Sequence, residues 1–68
     1  MDCLLQGMLE FNHGNFDQAL IYYDKALVLD SGFAETWIKK SFVLDKLGRT
    51  EEAEQCRKKA KEIDPKLA

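Results

Sequence analysis

Apolar side chains return every three or four residues through most of the chain, separated by polar runs only a few residues long. At about 100° per residue this spacing gathers them on one side of a helix. The pattern is interrupted at NHGN, at DSG and at LGRT, and Pro65 follows the last periodic stretch. It therefore predicts four helices, roughly over 1–12, 16–30, 34–47 and 50–64. Gly14 and Gly48 stand just beyond periodic segments, where a helix commonly ends in the left-handed region. Breaks this short join antiparallel neighbours, so the expected fold class is all-α, with two antiparallel helical hairpins.

The hairpins are copies of one unit. A shift of 34 residues aligns Gly14 with Gly48, Ala19 with Ala53, Lys25 with Lys59, Ala26 with Ala60 and Asp30 with Asp64. Leu4/Ile38, Gly7/Ser41, Leu9/Val43, Asp17/Glu51, Gln18/Glu52 and Leu29/Ile63 match in kind. Most identities fall on small residues and turn glycines, where geometry dictates the residue. Ala19 with Ala26, and Ala53 with Ala60, form small stripes that admit a neighbouring helix closely, so they are read as packing.

A 34-residue period, two helices per unit and this set of positions resemble the tetratricopeptide repeat (TPR) family. The second copy carries Trp37, Leu44, Gly48, Ala53, Ala60 and Pro65 at the family's positions; the first carries Gly7, Gly14, Ala19, Tyr23 and Ala26. Departures are Cys3 for the tryptophan, Gln6 and Lys40 for the leucine, Ser41 for the glycine, Glu10 for the tyrosine, Arg57 for the second-helix aromatic and Ser31 for the proline. The resemblance implies one domain over 1–68, a short right-handed solenoid with repeat one at about 1–32 and repeat two at about 33–66.

The two copies differ in how much of each helix is apolar. The second helix carries Phe16, Ala19, Leu20, Tyr22, Tyr23, Ala26, Leu27 and Leu29 over about half its circumference, with Ile21 and Val28 as a further patch. Its counterpart keeps only Ala53, Cys56, Ala60 and Ile63, a stripe of roughly 80°. That is the pattern of a polar capping helix, with Ala68 expected at or near the end of the array. Met1, Leu4, Leu5, Met8, Leu9 and Phe11, with Gly7, give the first helix an apolar arc near 200°, more than one hairpin buries. A preceding repeat, a second copy of this chain or a ligand is expected to cover it. Trp37 is expected to bury against its own hairpin and the second helix, near Tyr22 or Tyr23.

Composition narrows the chemistry. Of 68 residues, 46% are hydrophobic and 32% charged, which suits a helical globular chain rather than a disordered one. The net charge of −2 argues against a nucleic-acid binder, and residues 1–34 carry −4 while 35–68 carry +2. Arg57, Lys58, Lys59 and Lys61 follow Glu51, Glu52 and Glu54 in the order that suits a helix dipole, with Glu54–Lys58 expected as an i,i+4 pair. They are read as a solvated face. Cys3 and Cys56 lack the spacing of a zinc site or redox pair, and His13 reads as a helix-ending residue. With no phosphate-cradling loop, activated nucleophile or paired acids, the chain is expected to be neither an enzyme nor a binder of metal or cofactor. No long apolar run or basic leader is present, so no membrane association and a cytoplasmic location are expected.

Arrays of the family it resembles bind extended or helical peptides on the concave surface made by the first helix of each pair. Carried to this chain, that surface is Leu4, Met8, Phe11 and Asn12 with Glu35, Ile38, Phe42, Asp45 and Lys46. Its centre is apolar, and Leu4, Met8, Ile38 and Phe42 stand where some members place the Lys and Asn of a clamp for terminal carboxylates. The expected function is therefore protein–protein interaction through an apolar surface, without such a clamp. The alternative is a structural unit or the end of a longer array, self-associating as a homodimer through the same side chains.

Overall fold

A computed structural model describes residues 2–67. Helix α1 covers Cys3–Asn12, α2 Phe16–Leu29, α3 Ala34–Lys46 and α4 Thr50–Ile63, and Pro65–Leu67 forms a short 3-10 turn. Among the described residues the fold is all-α. α1 packs on α2 and α3 on α4 as hairpins, and α2 packs on α3 to join them. Met1 and Ala68, which the sequence reading included in the first helix's apolar arc and at the array's end, lie outside the described residues.

The expected helices end one residue early in three cases because Asp30, Leu47 and Asp64 are caps. Asp30 and Asp64 are extended, and each accepts a backbone N–H two residues on, from Gly32 and Lys66 at 2.9 and 3.0 Å. The recurrence of this aspartate is thus a turn requirement. Gly14 and Gly48 both have φ +79. Gly14 donates to Phe11 O and Asn15 to Glu10 O; Gly48 and Arg49 repeat the pair on Asp45 O and Leu44 O. This is the Schellman arrangement, and its left-handed residue suits glycine. Ala19, Ala53 and Ala60 are fully buried, as small residues at a close crossing should be. The structure offers no shared reason for Lys25 and Lys59.

Two apolar clusters lie between the helices. Tyr23, Ala19 and Val43 form the first, with Leu4, Phe11, Phe16, Leu20 and Leu47 against them. Leu44, Ala53 and Cys56 form the second, with Leu20 and Trp37. Leu20 of α2 touches both clusters, so the repeats share one apolar spine. Trp37 packs on the Leu44, Ala53 and Cys56 cluster with Leu20 of α2, outside the Tyr23 cluster, stays half-buried, and donates from Nε1 to Ser31 O at 3.0 Å. The indole therefore secures its own hairpin to the inter-repeat turn.

Charged side chains support the same joints. Lys40, where the resembled family has leucine, lays its ammonium 5.8 Å from the Trp37 ring centre and 2.7 Å from Asp24 of α2. Its stem replaces the missing apolar side chain while its charge bridges the repeats. Arg57, at the position matching Tyr23, reaches Asp45 of α3 at 3.0 Å. The expected Glu54–Lys58 pair is not formed; α4 instead pairs Lys59 with Glu62, and its cap Arg49 with Glu52. An exposed i,i+4 pair gains too little to override such alternatives.

At Gly7 the backbone of α1 lies against the Tyr23 ring of α2. A Cβ built there would lie 2.6 Å from Tyr23 Cε1 and 2.7 Å from Cδ1. The obstacle is a 2% exposed ring packed with Ala19 and Val43, so moving it disturbs that cluster. Overpacking of about 1–3 kcal/mol should outweigh the roughly 1 kcal/mol that alanine gains over glycine in a helix. Gly7→Ala should therefore lower the thermal midpoint despite improving helix propensity; a raised midpoint in calorimetry contradicts this packing.

Candidate functional site

A groove of about 210 Å³ lies between α1 and α3, lined by Met8, Phe11, Asn12, Tyr23, Lys39 and Phe42. Met8 and Phe42 occupy the same repeat position on their helices and project as the rims, 37% and 53% exposed. Phe11 stands edge-on to Phe16, ring centres 5.4 Å apart, and leans on the first cluster. Tyr23 closes the floor. Burial pushes its phenol above the ordinary value of 10.0. Lys39 lies along α3 with its ammonium 3.5 Å from Glu35.

Four residues read from the sequence therefore meet here: Met8, Phe11, Asn12 and Phe42. Leu4 is half-buried and packs inward on the Tyr23 cluster. Ile38 is half-buried, and its carbonyl accepts a hydrogen bond from the Ser41 hydroxyl. Asp45 is drawn to Arg57, Glu35 holds Lys39 at the rim, and Lys46 is exposed one turn beyond Phe42. Sequence reasoning missed Tyr23 and Lys39. Lys39 was findable, since Glu35, Lys39, Phe42 and Lys46 follow i, i+4, i+7, i+11 along one stripe.

The apolar arc of α1 acquires a direction when matched to α3. Lys40 and Val43 of α3 and its cap Leu47 pack toward α2, and their counterparts are Gln6 and Leu9 of α1 and its cap His13. Only one of these is apolar. Leu5 and Met8, 52% and 37% exposed, instead match Lys39 and Phe42, which line the groove. Of the exposed apolar side chains of α1, Met8 lines the groove, whereas Leu5 and Leu9 are not among its lining residues.

Chemistry elsewhere is sparse. Among the described residues no group of His, Cys, Asp and Glu could hold a metal ion. Cys3 and Cys56 are free thiols, and burial pushes the Cys56 thiol up, away from the thiolate of a nucleophile. None of the described helices is long and apolar enough to cross a membrane.

Tetratricopeptide repeat models match residues 2–33 and residues 34–67. The chain belongs to the tetratricopeptide repeat family. TPR repeats are generally protein-interaction modules and typically non-enzymatic. An uncharacterized protein of Methanocaldococcus jannaschii is 40% identical over 45 residues, which are 66% of this chain and 52% of that protein. The chain spans about half the length of that curated relative.

The Tyr23 shift makes the TPR packing pH-sensitive. Below about pH 10 the phenol is protonated whether the chain is folded or not; above it the unfolded chain loses the proton first, so stability falls as pH rises. Thermal midpoints recorded from about pH 8 to pH 11 should drop more steeply for the parent than for Tyr23→Phe. Parallel curves contradict a buried phenol.

Proposed function

We propose that the chain is a protein-interaction module that takes a peptide or helix of a partner protein in the groove between α1 and α3. The observation that carries this reading is that two exposed apolar side chains, Met8 and Phe42, face one groove with Phe11 and Tyr23 beneath them. Leaving large apolar groups in water forgoes about 1.5–3 kcal/mol each, and a cluster around a groove is the usual form of a binding surface. Met8, Phe11, Asn12, Tyr23, Lys39 and Phe42 make the direct contacts. Leu4 and Ile38 back them from the core side, and Glu35, Asp45 and Lys46 set the charge of the α3 edge. The module has no catalytic role of its own and needs no cofactor.

A second reading, self-association, has one observation of its own: Leu9 is 43% exposed beside Leu5 and widens the apolar face beyond what a short peptide covers. In that case a second copy fills the groove and no external ligand is needed.

Amide shifts of the labelled protein, followed during titration with amphipathic peptides, should move at Met8, Phe11, Asn12 and Phe42 and stay still along α4. Met8→Glu with Phe42→Glu should weaken binding at least about tenfold, since two rim anchors become charged. Shifts centred on α4, or an unchanged affinity in the double variant, contradict the groove. Sedimentation over a concentration series separates the two readings: a parent dimer that the same substitutions dissociate supports self-association.

A further inference from the structure

We infer that the groove selects acidic peptides: segments with an apolar anchor for the Met8–Phe42 cleft and an Asp or Glu beside it, directed to Lys39 and Lys46. This rests on the proposed binding role of the groove and specifies its ligand. The argument is charge complementarity between two unlike edges. The α1 edge is Met8, Phe11 and Asn12, with no charge. The α3 edge brings Lys39 to the lining, with Glu35 one turn before it and Asp45 and Lys46 one turn beyond Phe42. Asp45, which could have neutralised Lys46, is occupied by Arg57 at 3.0 Å. Lys46 makes no ion pair among the described residues, while Glu35 is spread against Lys39 at 3.5 Å. The edge is therefore net positive on a chain whose overall charge is −2.

Lys39 is placed for this task. Its side chain is 23% exposed, so much of the stem lies on the protein while the ammonium sits at the groove lining. A carboxylate arriving there competes only with Glu35, whose side chain is 72% exposed and gains little from a 3.5 Å surface pair. A basic peptide, by contrast, meets two ammonium groups and carboxylates that are already engaged. The apolar floor supplies affinity, and the lysines decide which sequences gain it. Since the selected group is an internal side chain, no terminal carboxylate is required.

The test uses three peptides blocked at both ends, with the same two large apolar residues and flanks of Asp/Glu, Asn/Gln or Lys. Calorimetric titration of the full chain at low salt should rank them acidic, neutral, basic, with about a 3–10-fold gain for acidic over neutral that shrinks as salt rises. In Lys39→Gln with Lys46→Gln, folding being checked by circular dichroism, that acidic-to-neutral ratio should fall to about one. Equal binding of all three overturns the charge selection while leaving the groove reading intact, and failure of all three overturns both. Tightest binding of the basic peptide, or an acidic preference that survives the double substitution, overturns the assignment to these lysines.

Discussion

The contact of the Tyr23 ring with the bare backbone of Gly7 is the constraint on which the other features depend. No side chain fits between them, so α1 and α2 can approach closely only with glycine at that position. The same ring packs with Ala19 and Val43, which carries the first hairpin's core into α3, and it closes the floor of the groove. One aromatic thus sets helix spacing, joins the repeats and shapes the candidate site. The second repeat solves the matching problem differently. Ser41 replaces the glycine, and Arg57 replaces the tyrosine and runs out to Asp45. Where the ring is absent the glycine is not needed, and α4 faces water with charged residues.

The difference between the copies also explains the groove. α2 must pack on α1 and on α3, so it needs apolar residues on two sides; α4 packs on α3 and the following 3-10 turn and keeps one narrow stripe. The edges of the groove then differ in charge: Met8, Phe11 and Asn12 on α1 carry none, whereas α3 brings Lys39 to the lining and Lys46 where α1 has Asn12. Repetition supplies the rims, Met8 and Phe42, and divergence supplies one apolar and one basic edge.

Most of the frame was legible because its determinants are local. A left-handed glycine, an aspartate that accepts a hydrogen bond two residues on, and alanines seven apart each leave a mark at fixed offsets, and these marks recur between the repeats. The candidate site was legible in part. Met8 and Phe42 follow from the stripe, but the turning of Asp45 toward Arg57 depends on a residue twelve positions away on another helix. The Lys40–Asp24 bridge and the seat of Trp37 beneath Leu20's cluster were obscure for the same reason: each is decided by tertiary neighbours. Tyr23 read as core packing, which it is; that its ring also floors the groove follows only from the missing Cβ of Gly7.

The most direct measurement of this account is the coupling between Tyr23 and Val43 across the repeat boundary. Denaturant unfolding of Tyr23→Leu, Val43→Ala and the double variant gives that coupling as the departure from additivity. If the ring joins the hairpins, the two changes should be non-additive by about 0.5 kcal/mol or more, with a single cooperative transition in the parent. Additivity within about 0.3 kcal/mol, as for distant sites, would mean that Tyr23 serves its own hairpin alone and that the repeats are joined elsewhere.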